Sequence, residues 1–406
     1  MQKKRLRKYK KSSAVFIVLF IHLFICLFCG IGNKIAVYAK SDEEKQASTE
    51  EKLNESIFEQ INELDLTALQ EYLHSLHGFT DKSVSERLIE HIKGDKFDYE
   101  NFGRQIGRVL FENVREILPA FACIAAVALL SGVISTLKSG SNAKTAGDMI
   151  FFITYAAALI PVIGVLTECF MQTKDTIAQM QTQMQLVFPL MLTLMAASGG
   201  SVTVAVCRPA VAYFSSTIVS VISAIVLPLT VTIIAFSMAG NLTKELKITK
   251  FTAFFKSINK WIIGICISAF GIFFTLQGIT TATYDGIVRR AAKYAIGNGI
   301  PIVGGFLSGG FDLAVAGSVL IKNSLGSLSI FMMVAILFEP LLLLIAVNLL
   351  LRFTSAITQP FGDSRISDFL SETAENLRYC TAGLLFTAFM YFLSIMLLVT
   401  ATEAIL

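Results

Sequence analysis

Eight apolar stretches, each long enough to cross a lipid bilayer as a helix, dominate this 406-residue sequence. Hydrophobic residues make up 54% of the chain and charged residues only 16%, whereas about a quarter of a soluble domain is charged. The stretches are 117–137, 149–169, 186–206, 211–239, 262–283, 300–321, 328–351 and 380–402. Because a bilayer-spanning helix needs roughly 20 apolar residues, we predict an all-α polytopic membrane protein with about 7–8 transmembrane or re-entrant helical segments.

The first 39 residues have the organisation of a secretory signal peptide. MQKKRLRKYKK precedes the apolar stretch Ala14–Ile31, and Val37 and Ala39 are small residues at the −3 and −1 positions of a cleavage site. The apolar stretch is also long enough to remain as an anchor, and in both cases the following segment is exported. In that segment, residues 40–100 contain 16 acids and seven bases. We therefore predict that 40–116 is an acidic, helical, extracytoplasmic segment.

Short amphipathic helices are predicted within this exported segment. Asp65 can cap a helix that follows it, and Ser83 and Glu86 form a capping box at the start of a helix over 83–92. Helical spacing places apolar residues on two faces: Ile57, Ile61 and Leu64 on the first, and Leu66, Leu69, Leu73 and Leu76 on the second. Helices this small cannot bury a large core of their own. We expect them to pack on the membrane region or on a partner.

Two parts of the membrane region resemble each other. LMAASGGSVTVAV at 194–206 resembles GGFLSGGFDLAVA at 304–316, and the similarity extends over two units, 186–285 and 300–402. The alternative is that apolar sequences of biased composition resemble one another by chance. A unit of three spans would reverse the orientation of the next unit, as in the inverted repeats of transporters. A two-helix membrane hairpin, predicted at 117–169, precedes the two units.

The charges of two corresponding loops favour an inverted repeat. Loop 244–260 has five lysines and one glutamate, whereas loop 352–378 has three arginines and four acids. Cytoplasmic loops carry an excess of Lys and Arg, so opposite charge bias predicts opposite sides of the membrane. However, an exported N-terminal segment followed by four full spans would put loop 244–260 outside. A re-entrant segment at 186–206 would correct the count but would treat one unit differently from its counterpart.

The glycines of the two matching segments have two interpretations. Small residues let helix backbones approach closely, and Gly305 and Gly309 have the GxxxG spacing of packed membrane helices. Alternatively, the glycines break the helices where these line a pore or cavity, since irregular backbone is tolerated at membrane depth only there. The candidate pore or packing residues are Gly199, Gly200, Gly305, Gly309 and Gly310.

Few ionisable residues lie in the apolar stretches, and Asp312, Lys322 and Glu339 are candidate functional residues because charge in a span is costly. An ion or proton path through Asp312 and Glu339 would make the chain an independent secondary transporter. The alternatives are placement at helix ends or pairing of Asp312 with Lys322. The sequence contains no P-loop, HExxH, nucleophile elbow or zinc motif. We expect a non-enzymatic protein without catalytic residues, metal or cofactor.

A specific resemblance is found in KYAIGNGIPIVGGFLSGGFDLAVAGSVLIKNSLG at 293–326, followed by TQPFGD at 358–363. These residues, together with the order of signal peptide, acidic ectodomain and polytopic region, resemble the stage III sporulation protein AE family. The resemblance covers essentially the whole mature chain, although residues 40–100 match the family only in general character and not in specific residues. It provides no catalytic residues to transfer.

This resemblance implies a role in endospore formation. The family acts in the mother-cell membrane that surrounds the engulfed forespore, as a subunit of a transenvelope channel or secretion-like complex that keeps the forespore transcriptionally active. The implied partners are the other stage III sporulation A-series proteins, including a separate ATPase, and stage II sporulation protein Q from the forespore side. The implied location places the exported N-terminal segment in the intermembrane space. Neither the resemblance nor the charge distribution indicates nucleic-acid binding.

Overall fold

The computed structural model describes residues 43–76, 82–92, 114–127, 144–198, 215–242, 248–299, 304–360 and 364–403, with a few isolated positions between 108 and 130. All regular secondary structure within these ranges is helical, which confirms the predicted all-α class. The predicted signal peptide (1–39) and the end of the first predicted span lie outside the described residues.

Three short helices form the N-terminal part: α1 (Glu43–Glu63), α2 (Thr67–Ser75) and α3 (Val84–Ile92). The chain divides into two compact units, 1–54 and 55–406, and the contacts described below all belong to the second. Therefore only the second half of α1, from Glu55 onward, enters the description of the packing.

The predicted caps of these helices are confirmed. The Asp65 carboxylate accepts a hydrogen bond from the backbone N–H of Thr67, 3.2 Å away. Ser83 and Glu86 form the capping box: the Glu86 carboxylate accepts from the Ser83 N–H at 2.9 Å, and the Ser83 hydroxyl accepts from the Glu86 N–H at 3.1 Å. The apolar faces are buried, at Ile57, Ile61, Leu66, Leu69, Leu73, Leu76, Val84 and Leu88.

Five long helices lie in the described part of the membrane region. They are α4 (Lys144–Ala197), α5 (Ser215–Leu242, with a π-helical turn at Ile222–Val226), α6 (Thr249–Gly299), α7 (Gly304–Thr358) and α8 (Ser364–Glu403). All five are long and apolar enough to cross a membrane. Two pairs of predicted spans are therefore single helices, because α4 contains 149–169 together with the start of 186–206, and α7 contains 328–351 together with most of 300–321.

The continuity of α4 and α7 makes the bundle much taller than a bilayer. Their apolar parts, Phe151–Ala197 and Asp312–Thr358, contain 47 residues each. At 1.5 Å per residue, each is about 70 Å long. The hydrocarbon core of a bilayer is only about 30 Å thick. Each apolar part is therefore more than twice as long as the hydrocarbon core is thick.

The last four helices form two antiparallel hairpins. In the first, the ring of Phe236 on α5 stacks on Phe255 of α6 with centroids 5.4 Å apart, and the Asn259 amide donates to the Thr230 hydroxyl at 2.9 Å. In the second, the Ser355 hydroxyl of α7 donates to a carbonyl oxygen of α8, that of Ser367, at 2.8 Å. The helix ends that flank the two connections, 243–248 and 359–363, lie at one end of the bundle, which we call the turn end.

Hydrogen bonds between α5 and α8 join the two hairpins so that their connections lie at the same end. Ser237 and Asn241, near the end of α5, both donate to the carboxylate of Glu372 on α8. Tyr155 places the beginning of α4 beside them, since its hydroxyl donates to the Met238 carbonyl oxygen at 2.8 Å and its ring contacts Phe369.

These contacts correct the predicted inverted repeat. The loops 244–260 and 352–378 meet at the same end, so α5 runs parallel to α7, and α6 runs parallel to α8. The opposite charge bias of the two loops, which predicted opposite sides of the membrane, therefore needs another physical explanation.

Large apolar side chains are exposed mainly toward the turn end. On α4 they are Met149, Phe152, Ile153, Ile160, Ile163 and Met171, and on α7 they are Ile345, Leu349 and Phe353. Beyond Met171, the exposed positions of α4 include Lys174, Asp175, Gln179 and Gln185. The half of the bundle near the turn end is thus suited to contact lipid. The other half, which we call the far half, carries a polar surface on α4.

Candidate functional site: the docking site of the N-terminal helices

The N-terminal helices pack on the far half of the bundle, where α1 meets the glycine-rich start of α7. The Gln60 amide nitrogen donates to the Ala314 carbonyl oxygen at 3.1 Å, and the Ser318 hydroxyl donates to the Gln60 amide oxygen at 2.7 Å. Between them lies Gly317, where a Cβ atom would come within 2.9 Å of the Gln60 nitrogen and 3.6 Å of Ile57. A side chain at this position would have to displace the end of the Gln60 side chain.

Helix α3 docks nearly two turns further along α7. The Ser324 hydroxyl donates to the backbone carbonyl oxygen of Leu88 at 3.0 Å, and the Leu88 side chain is fully buried. The N–H of Val84 donates to the side-chain oxygen of Gln70, so α2 and α3 are joined by a side chain as well as by their apolar faces. Helices α1 and α3 thus bind α7 through serine, glutamine and glycine rather than through charge.

Tyr72 connects α2 to α4. Its hydroxyl donates to the Gln179 carbonyl oxygen at 2.9 Å. Burial raises the pKa of Tyr72, because the phenolate would be poorly solvated, so the phenol keeps the proton that it donates. This contact lies within the polar section of α4, beyond its exposed apolar residues.

Beneath the docked helices, α7 packs tightly on α8. Lys322 is fully buried, and its ammonium group donates to the Val399 carbonyl oxygen at 2.8 Å. One turn away, a Cβ atom on Gly326 would lie 2.5 Å from Val399 Cγ2 and 3.4 Å from Met191 Cε. Close glycine packing and a buried ammonium group therefore hold α4, α7 and α8 together under the docking site.

Comparison with known proteins identifies the family. The family model for stage III sporulation protein AE matches residues 83–402, which is most of the chain. The chain belongs to the stage III sporulation protein AE family. Stage III sporulation protein AE of Bacillus subtilis (strain 168) is 25% identical over 325 residues, which cover 80% of this chain and 82% of that relative. No solved structure matches.

The family match divides the docking site. It begins at Ser83 and so includes α3, Ser324 and the contact between them, whereas α1, α2 and Gln60 precede it. Within the matched range, α7 provides all the small residues against which the N-terminal helices pack.

The structure does not bring together the residues of the predicted ion path. Asp312 is half-buried near the start of α7, and Glu339 is exposed near the boundary between the two halves of the bundle. Since both lie on one continuous helix, 27 positions apart, they are separated by about 40 Å. Asp312 and Lys322, ten positions apart, are separated by about 15 Å and do not pair with each other.

Three of the five predicted glycines precede the docking site along α7. Gly305, Gly309 and Gly310 fall within the continuous helix α7, so the helix is not broken there. Gly199 and Gly200 lie outside the described residues. The glycines in closest contact, Gly317 and Gly326, were not predicted, although each is part of a run of small residues on α7 that signals helix packing.

The chemistry available at this site is hydrogen bonding between neutral groups and carbonyl oxygens. Among the residues that the structure describes, no group of three or more His, Cys, Asp or Glu side chains lies close enough to hold a metal ion. The arrangement is that of a joint between two helical layers. It fixes the position of the N-terminal helices on the helical bundle.

Proposed function

We propose that this chain is a non-enzymatic integral membrane subunit of the transenvelope channel or secretion-like complex between mother cell and forespore, needed for late forespore gene expression. It resides in the mother-cell membrane around the forespore, and α1–α3 with the far half of the bundle stand in the intermembrane space. The proposal is supported by one observation. This member of the family has helices much longer than a bilayer is thick, and they hold the N-terminal helices on the part that extends beyond the bilayer. Such an extension provides a rigid surface for other subunits.

The order of the helices supports this orientation. Starting from an exported N-terminal segment, the predicted span at 117–137 leads inside and α4 leads back outside. Helix α5 then crosses inward, so the turn end with Lys250, Lys256 and Lys260 faces the cytoplasm, as the positive-inside rule requires. The difficulty of the extra span disappears because 186–197 is part of α4 and not a separate crossing.

The partners follow from the same proposal. The chain has no P-loop, so energy for transport comes from a separate ATPase among the other stage III sporulation A-series proteins. The far half and the docked helices are the parts that reach the intermembrane space, where they can meet stage II sporulation protein Q. No nucleic acid is involved.

The orientation can be tested with an impermeant thiol reagent in a cysteine-free background. Cysteines replacing Thr249 and Gln359, both exposed at the turn end, should react only from the cytoplasmic side. A cysteine replacing Glu71, exposed on α2, should react from the opposite side. Reaction of Thr249→Cys and Gln359→Cys from different sides would exclude the parallel hairpins. Reaction of all three from one side would exclude the proposed placement of α2.

The function itself is tested by deletion and complementation in the native sporulating host. We expect engulfment to finish and late forespore gene expression to fail without the gene, and the wild-type gene to restore it. The Gly317→Leu variant should restore less, because leucine at that position displaces Gln60, whereas Gly240→Leu, with open space around its Cβ position, should restore fully. Normal sporulation of the deletion strain would refute the proposal.

The alternative, an independent secondary transporter using Asp312 and Glu339, makes a different prediction. Transport through these acids would be lost completely in the Asp312→Asn/Glu339→Gln variant, with expression unchanged. The 40 Å separation favours the first proposal, under which this variant assembles normally and perturbs sporulation only weakly. Complete loss of function with intact assembly would support the transporter.

A further inference from the structure

One face of α8 near the turn end carries exposed charge. Asp368, Ser371, Glu375 and Arg378 are all exposed and follow one another at spacings of three or four residues, so they share one side of the helix. We call these four residues the α8 charged face. Its net charge is negative, with two carboxylates and one guanidinium group.

The α8 charged face lies at the height of exposed apolar residues. Glu372, beside it on α8, bonds to Ser237 of α5, and Asn348 of α7 donates to the Ala374 carbonyl oxygen. On α7, Ile345 and Leu349 flank Asn348 and are exposed. The charged face therefore interrupts an otherwise apolar belt. Charge in contact with lipid tails is unfavourable, so a surface that covers this face would stabilise it.

A complementary face of the same chain lies at the same height. Lys250 and Lys260 on α6 are exposed, and Lys256 between them is half-buried. Their height is fixed by Phe255, which stacks on Phe236, the residue before the Ser237 that bonds to Glu372. We call these three residues the α6 lysine face.

In the described part of the chain, neither face contributes to a salt bridge within one copy. The charged neighbour of the α8 charged face is Arg352 of α7, which interacts electrostatically with Glu375 and Arg378. Large apolar residues surround the lysines, since Phe251, Phe254 and Trp261 are exposed on α6. This combination of charges within an aromatic surface is typical of a protein interface.

We propose that a second copy of this chain covers the α8 charged face, with the α6 lysine face of one copy against Asp368 and Glu375 of the next. Membrane neighbours in a closed assembly are related by an axis along the membrane normal, so contacting residues must lie at equal heights. The two faces meet this condition and have opposite charge. The opposite bias of loops 244–260 and 352–378 is thereby explained as complementarity between copies.

The proposal is tested by charge reversal with two differently tagged copies, purified together from membranes in mild detergent. We expect co-purification to fall at least about tenfold when both tagged copies carry Asp368→Lys/Glu375→Lys. The same fall is expected when both copies carry Lys250→Glu/Lys260→Glu, because like charges then face each other. When one tagged copy carries the first pair of substitutions and the other copy carries the second pair, both kinds of interface between unlike copies have opposite charges. Co-purification of this mixture should recover. The recovery also shows that both variants are folded.

A matched control is the exposed charge on the far half of α4. Lys174→Glu reverses a charge outside both faces and should leave co-purification unchanged. The proposal is overturned if either reversed variant associates with itself as the wild type does, or if the mixture does not recover. The assay does not use sporulation, so its failure would leave the proposed function untouched, and failure of the proposed function would leave this result untouched.

Discussion

Gly326 provides the sharpest test of how the bundle is held together under the docking site. In the Gly326→Ala variant, the new methyl group would lie 2.5 Å from Val399 Cγ2, closer than real carbon atoms approach. Valine is stiff about χ1, so its methyl group cannot rotate away freely. The alternative is that α7 and α8 move apart, which strains the hydrogen bond from Lys322 to the Val399 carbonyl oxygen.

The size of the effect follows from these two routes. Overpacking a core by one methyl group costs about 1–3 kcal/mol. Weakening the hydrogen bond of the buried ammonium group adds to this, since bonds to charged groups contribute about 1.5–3 kcal/mol. Replacing glycine by alanine in a helix usually stabilises the folded protein by about 0.5–1 kcal/mol, which offsets part of these two losses. The net expectation is a destabilisation of about 1–4 kcal/mol.

The assay is thermal unfolding of the purified protein in detergent, with two comparisons. Gly164→Ala, where nothing lies within 4 Å of the added atom, should raise the melting temperature slightly, so the two alanine variants move it in opposite directions. Adding Val399→Ala to Gly326→Ala removes the clashing methyl group and should recover part of the loss. An unchanged or raised melting temperature for Gly326→Ala, or no recovery in the double variant, would refute the close packing of α7 on α8.

Three further outcomes are expected. Gly317→Leu should expose α1 to limited proteolysis, because the Gln60 amide must leave Ala314 and Ser318, whereas Gly240→Leu should not; equal cleavage of both would contradict the contact. Tyr72→Phe should lower the free energy of unfolding by about 1 kcal/mol, measured by denaturant titration, because the hydrogen bond to α4 is lost. Asn376→Leu should raise the melting temperature, since the Asn376 amide is fully buried with no hydrogen-bond partner in the described part of the chain. A fall in melting temperature would show that this amide is satisfied in the folded protein.

Local signals in the sequence predicted the N-terminal helices well. Asp65, Ser83 and Glu86 make the predicted caps because a cap depends only on residues within one helical turn. The apolar faces of the same helices were predicted from spacing and are buried. The surface they pack on was left open between the membrane region and a partner, because periodicity identifies an apolar face but not what covers it.

The length of the membrane helices could not be predicted from apolar stretches. Lys174 and Asp175 interrupt the apolar pattern of α4, so 149–169 and 186–206 read as two spans with a loop between them. Both residues are exposed in a continuous helix, since a polar surface is compatible with helix outside the bilayer. Hydropathy identifies the segments that can contact lipid. It does not show whether a helix continues beyond them.

The orientation of the two units was predicted wrongly for a related reason. The positive-inside rule counts Lys and Arg, and Asp and Glu contribute little to it, so the acids of loop 352–378 do not indicate the opposite side. Here the lysines near Lys256 and the acids near Glu372 lie on helices at the same end of the bundle, joined to each other through Ser237 and the Phe236–Phe255 stack. Sequence also could not show which glycines of α7 face a neighbour, because that depends on the rotation of the helix against α1 and α8.

The dependence of α1–α3 on the bundle has a mechanical consequence. Three helices of this size bury too little apolar surface to be stable alone, so Leu88 and Ile61 are ordered only because α7 and its neighbours complete their surroundings. A subunit that binds α1 and α3 would therefore act directly on α7 at Ser318 and Ser324. Helix α7 is continuous from there to the turn end and contains Pro340, the residue at which it can bend. Under the proposed orientation, a partner in the intermembrane space and one at the cytoplasmic face would thus act on the same helix.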